Sequence, residues 1–444
     1  MNPLIDFPST PHKALAFDRI KPEYFLPALE HWIQVSKERQ AAIVANSEAP
    51  TFENTVAALE FSSLELNKVS SCFFNLNSAE TNDAIQEIAR EFSPKLTAFS
   101  SETLLNEPLF LRIESVYESG QELDSAEAKR LLNETYESFV RNGAALEGED
   151  RARLTALNEE LSTLSLTFGE HVLAETKAFQ YHTTAAQDLQ GLPEDVIEAA
   201  AQQGQEQGKE GYALGLDMPT YMAVMKYADR SELRAYFYRA YGSRAAKENE
   251  NNNEQVIKNL VNKRMERAQL LGFDSHAKLT LSKRMAKTPG TVLNFLDHLL
   301  EVAKPAAQRD LKAVSDFAAA QDGDLPIQPW DFSYWSEKLK MERLALDDQA
   351  LKPYFKLENV LQGAFTVAGR LFGLHFKHHP DVPVYHEDVD AYEVFDADGN
   401  FLSLFYADFF PRAGKRAGAW MTSYQSMYTK EDEEVRPHIS IVCN

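Results

Sequence analysis

Cys72 and Cys443 are the only cysteines in 444 residues, too few for a disulfide framework or a thiolate metal cluster. Neither sits beside a helix-start or basic signature that would lower a thiol pKa, so both read as small apolar fillers. No window approaches about 18 uninterrupted apolar residues, which removes a membrane-spanning helix. The N-terminus, Met1-Asn-Pro-Leu-Ile-Asp-Phe-Pro8, lacks the basic and apolar regions of a secretory leader, so a cytoplasmic location is expected. Basic residues are in deficit: 45 Lys and Arg face 67 Asp and Glu, a formal charge of −22. A chain of that sign does not replace the counterions of a polyanion, so nucleic acid is excluded as a partner. Gly-x-Ser-x-Gly is missing as well, and with it the strained elbow that presents a nucleophilic serine.

What is there reads as a folded, mainly α protein with a small antiparallel sheet at its end. Hydrophobic residues at 44% with charged residues at 25% can build cores, and the length calls for two or three substructures. We expect helical lobes over residues 1–200 and 201–375, and a sheet segment over 376–444. The spacing of Leu154, Leu157, Leu161, Leu164 and Phe168 predicts a helix over Arg153–Glu175 with an apolar stripe facing the core. A second helix over Gln255–Leu271 should stop at Gly272. Thr288-Pro289 should cap a third, which Pro305 should kink or end. Gly204, Gly208, Gly211 and Gly215 predict a loop from Gln202 leading to an extended piece over Tyr212–Leu216. Ala391–Phe395 and Phe401–Phe405 flank Asp396-Ala-Asp-Gly-Asn400, a hairpin turn. A second hairpin follows, with arms Ala417–Tyr428 and 435–443 and the charged loop Thr429–Glu434. Its return arm alternates Ile439, Ile441 and Cys443 against His438, Ser440 and Val442.

Most chemical signatures fail on spacing. Gly204-x-x-x-Gly208-Lys209 is one residue short of a phosphate loop and follows no apolar strand. Asp396-x-Asp398-Gly399-Asn400 opens like a calcium loop, but its twelfth position is Ala407 where a bidentate Glu is required. His375, His378, His379 and His386 cluster without the convergent partners a metal needs, and no His-Glu-x-x-His occurs. No residue is therefore assigned to catalysis or to a metal. Arg412-Ala-Gly-Lys-Arg-Ala-Gly-Ala-Trp420 runs from a basic turn into a strand whose first residues are small. Such an edge can accept an extended peptide through main-chain hydrogen bonds; the alternative is a glycine bend that only turns a corner.

Several collinear stretches resemble the thimet oligopeptidase, oligopeptidase A and peptidyl-dipeptidase family of zinc metallopeptidases. They are Phe52-Glu-Asn-Thr55, Arg264–Ala268 with Leu271-Gly-Phe273, Lys283–Pro289, Pro329-Trp-Asp331 with Tyr334-Trp335, Leu351–Phe355 and Leu371-Phe-Gly373. Tyr406-x-Asp408, Arg412, Gly414-Lys415, Gly418-Ala-Trp420 and Val442-Cys-Asn444 complete the series.

The resemblance implies a monomeric hydrolase with a cleft for short unstructured peptides. It also implies a Zn ion held by two histidines of a His-Glu-x-x-His helix and a downstream Glu. That helix would follow Asn444, so the chain corresponds to the N-terminal two-thirds of such an enzyme and alone should be inactive. Carried onto this sequence, the main chain of Ala417, Gly418 and Ala419 would hold the substrate backbone with Trp420 packing beneath. Gly418→Val would then raise KM in a complete protein with little change in fold. The alternative function is a non-catalytic helical protein that binds peptides or a partner through the same edge.

Overall fold

The computed structural model describes residues 1–120, 122–123, 125–144, 146–346, 348–430 and 433–444. In chain order, the longer helices are α1 (Phe25–Ala45), α2 (Leu64–Ala79), α3 (Asp83–Leu104), α4 (Glu107–Glu118), α5 (Ala126–Arg141) and α6 (Gly148–Ala178). Then come α7 (Glu194–Glu206), α8 (Met218–Tyr227), α9 (Ser231–Gly242), α10 (Glu254–Leu270), α11 (Pro289–Ala320), α12 (Phe332–Leu344) and α13 (Leu357–Phe372). The strands are β1 (Tyr181–Thr183), β2 (Tyr212–Leu214), β3 (His375–His378), β4 (Val389–Phe395), β5 (Phe401–Asp408) and β6 (Ala419–Gln425). Three more, β7 (Tyr428–Lys430), β8 (Glu433–Val435) and β9 (His438–Cys443), complete them. The protein is mainly α, as its composition and periodicity predict. None of the described helices is long and apolar enough to cross a membrane.

The chain divides into two compact units, neither of which is one continuous stretch. The first combines Met1–Phe168, Val256–Thr280 and Gly373–Cys443. Its main core joins Phe25 and Leu29 of α1, Leu66, Val69, Cys72 and Phe73 of α2, and Phe92 of α3 to Leu404, Tyr406 and Tyr424 of the sheet. Phe73 and Phe92 stack with centroids 4.2 Å apart at its centre. The sheet is thus held by helices more than 300 residues earlier in the chain, and Cys72 is the buried filler expected.

The second unit covers Gly169–Gln255 and Leu281–Phe372. It packs Leu189, Leu192, Leu214, Val224, Leu233 and Phe237 into a separate core. In the same unit Arg234 and Asp331, both buried, meet at 2.5 Å, and the guanidinium lies 4.0 Å from the centre of the Tyr334 ring.

Most local signals hold. Thr288 caps α11 by accepting from the Thr291 amide, and Gly272, at φ +78°, follows the last turn of α10. Four expectations need correction. Pro305 lies inside α11, which continues to Ala320, so it does not end the helix: neighbouring turns carry it past one missing donor. Gly204 belongs to α7 rather than to the loop, since its bare Cα lies against the Gly211 carbonyl, where a Cβ would sit 2.6 Å away. Of the α6 stripe, Leu154 and Leu157 are fully buried, but Phe168 is exposed. Thr429, Lys430, Glu433 and Glu434 pair in β7 and β8 instead of forming a loop; Glu431 and Asp432 lie outside the described residues.

The five-stranded sheet also departs from expectation. Its order is β3-β4-β5-β9-β6, and the β5–β9 pairing is parallel, so the sheet is mixed rather than wholly antiparallel. The hairpin of β6 and β9 inserts its return arm beside β5, which places β6 at the edge.

Candidate functional site

β6 pairs with β9 in antiparallel register, Ala419 opposite Cys443 and Thr422 opposite Ser440, and among the described residues has no strand on its other side. A strand so placed offers a row of main-chain donors and acceptors to an added strand. Its two faces differ. Tyr424 is buried in the helical core, and Trp420 and Thr422 point the same way, towards α2. Met421, opposite Ile441, points away; the two are 65% and 42% exposed and form an apolar outer face. In β9 the buried face carries the polar His438 and Ser440 with Val442, while Ile441 is exposed.

The segment before β6 is fixed by a buried charge cluster. Asp408, at the end of β5, has no exposed surface, and neither does the side chain of Lys415. Lys415 Nζ lies 2.7 Å from Asp408 Oδ1, 2.6 Å from the Phe410 carbonyl and 2.8 Å from the Cys443 carbonyl. One ammonium therefore ties β5, the following loop and the end of β9. Arg412 donates to both Asp408 oxygens, at 2.8 and 2.7 Å, and pairs with Glu80 on its other side. Tyr385 donates to Asp408 Oδ2 at 2.7 Å. Burial by itself would raise the Asp408 carboxyl, but the hydrogen bonds from Arg412, Lys415 and Tyr385 outweigh it and hold the pKa below the usual value. Burial pushes Lys415 down, and burial with the Asp408 charge pushes Tyr385 up.

The loop is also pressed onto the helices. Thr81 donates its amide to the Gly414 carbonyl at 2.9 Å, and Arg416 donates to the Ser78 carbonyl at 2.8 Å. A Cβ on Gly414 would lie 2.6 Å from the Thr81 carbonyl oxygen, so only glycine fits. Gly418 has φ +114° with open space where a Cβ would go; its cost to a side chain is backbone strain, not a clash. The Arg416 guanidinium lies 4.7 Å from the Trp420 ring.

The three residues expected to hold a substrate backbone lie at the start of the edge strand, Ala417 and Gly418 just before it and Ala419 as its first residue, and Trp420, expected to pack beneath, follows within it. Reading the residues gave Asp408, Arg412 and Lys415 no role beyond resemblance. The available signal was three charges spaced four and three apart immediately after the apolar run Leu404–Ala407.

The histidines do not converge. His378 pairs with Asp390 at 3.1 Å and His386 accepts from the Asp388 amide, while among the described residues no group of three or more His, Cys, Asp or Glu could hold a metal. Asp396 accepts from the amides of Asp398 and Asn400, which makes it the hairpin turn rather than a calcium loop. The residues present thus do not fit the zinc that the resemblance implies.

The profile of peptidase family M3 matches residues 224–444. The whole chain aligns, at 36% identity, with a dipeptidyl carboxypeptidase of Salmonella typhimurium. It aligns at 32% with an oligopeptidase A of Escherichia coli, and at 29% with a probable cytosolic oligopeptidase A of Arabidopsis thaliana. Residues 224–444 are thus similar to peptidase family M3, and the relatives named extend the likeness over the whole chain. The chain spans 65% of the length of the two bacterial relatives and 64% of the plant one.

Proposed function

We propose that this chain supplies the peptide-holding edge of a zinc-dependent oligopeptidase or peptidyl-dipeptidase. The observation that carries the reading is β6, an edge strand with small residues at its start, held in place by Lys415 and Asp408. An extended peptide laid along Ala417–Ala419 would gain main-chain hydrogen bonds, each worth about 0.5–1.5 kcal/mol net. Short chains without structure of their own are suited to it, because their backbone groups are free to pair. The zinc would belong to the activity of the whole family fold; no group of donors for it occurs among the described residues, and binding by this chain without cleavage is part of the proposal. A cytoplasmic monomer that meets its peptides in solution is part of the same reading.

The test is binding of a labelled six-residue alanine-rich peptide to the chain in the presence of a chelator. Binding should persist without metal, and N-methylating alternate peptide nitrogens should abolish it. No binding, or binding indifferent to N-methylation, would remove β6 as the site. Cleavage of the peptide on adding zinc would overturn the claim that the metal donors lie elsewhere.

A further inference from the structure

No residue of α11 before Val314 is buried. Its buried residues are Val314 and Ala318, both in the last two turns, in a helix that packs on α12. Ahead of them Leu293, Phe295, Leu296, Leu299, Leu300 and Val302 are 47–64% exposed. At about 100° per residue these six fall on one half of the helix, while Asn294, Asp297, His298 and Glu301 fall on the other.

The same pattern recurs in α13. None of its 16 residues is buried, and Val360, Val367, Leu371 and Phe372 are 48–73% exposed. They too share one face, opposite Asn359, Gln362, Thr366 and Arg370. The core cluster of the same unit is built from residues 189–237 and takes in neither helix. A 16-residue helix with nothing packed on its apolar face is marginal in water, and a regular apolar stripe is the mark of a face that packs. Exposed apolar side chains scattered singly need no explanation; two stripes of them do.

Charge and length narrow what covers these faces. A lipid surface calls for a helix whose polar face is rich in Lys and Arg. Here acidic residues at least match basic ones, with Asp297 and Glu301 beside Lys304 on α11 and Glu358 with Arg370 on α13. A second copy would bring a formal charge of −22 against −22, which opposes self-association. A further stretch of polypeptide has neither drawback. The Salmonella dipeptidyl carboxypeptidase and the Escherichia coli oligopeptidase A align with all of this chain over 65% of their own length, so about a third of each has no counterpart here.

We propose that the apolar faces of α11 and α13 are docking surfaces for a polypeptide equivalent to that remaining third. The inference rests on the likeness to the longer relatives and is independent of the reading of β6.

The test is co-expression of this chain with the part of the Escherichia coli oligopeptidase A that lies outside the alignment, carrying an affinity tag. The two should purify together, and amide exchange in residues 291–311 and 357–372 should slow at least about tenfold relative to the chain alone. Leu296→Gln with Leu300→Gln, or Val367→Gln with Leu371→Gln, alters only exposed side chains, so each pair should leave the chain folded and weaken the complex about tenfold or more. A second arm joins the two segments as one polypeptide, where assembly does not depend on the added part folding alone; the same amides should be protected there. Exchange in both helices as fast in the joined protein as in the chain alone, or a complex indifferent to both pairs of substitutions, would overturn the proposal. So would a dimer of the chain alone that these substitutions dissociate, which would put a second copy on the same faces. Peptide binding along β6 is measured separately and is untouched by either result.

Discussion

Replacing Asp408 with alanine tests whether the edge strand depends on the buried charge cluster. The carboxylate accepts from Arg412, Lys415 and Tyr385, and its loss strands a Lys415 side chain with no exposed surface and an Arg412 side chain that is 11% exposed. Removing one member of a buried ion pair costs about 3–5 kcal/mol, because the remaining charge stays desolvated. The same substitution releases the loop that sets the start of β6. Lys415→Met should cost less, about 1–3 kcal/mol: Asp408 Oδ1 and the Phe410 and Cys443 carbonyls lose a donor, but the carboxylate keeps Arg412 and Tyr385. With two compact units a single unfolding free energy is ill defined, so the assay is native-state amide exchange, resolved by segment. At about 1.4 kcal/mol per tenfold, protection in β9 should fall about 10²- to 10³-fold in Asp408→Ala and clearly less in Lys415→Met. Equal effects, or a loss below about tenfold in Asp408→Ala, would refute the role given to the cluster.

Burial, with Lys68 and His12 nearby, holds His438 neutral and brings its pKa down from 6.5 to about 3. The unfolded chain takes up this proton near pH 6.5 and the folded one does not, so the stabilisation is complete above that pH and is lost as the pH falls towards 3. His438→Leu should therefore flatten the acid limb of the first unit's stability by up to about 4–5 kcal/mol, and parallel curves for the two proteins would count against it. Gly418→Val should cost about 1–3 kcal/mol in backbone strain, since φ is +114°, and weaken peptide binding about two- to tenfold; unchanged affinity would free Gly418 of any part in the site. Leu296 and Leu300 of α11 are 51% and 60% exposed, so changing both to Gln should leave stability within about 0.5 kcal/mol per site and reduce binding of a hydrophobic dye. A large loss of stability would mean that this face is packed.

Local chemistry made part of this fold readable. Thr288, Gly272 and the Asp396–Asn400 turn act through groups within four residues of themselves, and each does what its residue type dictates. The start of β6 was legible for the same reason, as a basic turn followed by small residues. Long-range choices were not. The parallel β5–β9 pairing joins segments separated by the whole β6 hairpin, and no alternation within either strand encodes it. In β9 the alternation itself misleads, because the buried face carries His438 and Ser440 while Ile441 faces out. The polar face of α2 looks like a solvated helix surface, yet β6 packs against that helix, and Ser70 and Asn75 are buried.

The most direct measurement is amide exchange of residues 417–425 in the metal-free chain, with and without a saturating unstructured peptide. Half of the β6 amides face the open edge, and these should gain protection while those already paired with β9 change little. Protection confined to other segments, with β6 exchanging as it does in the free chain, would contradict the account.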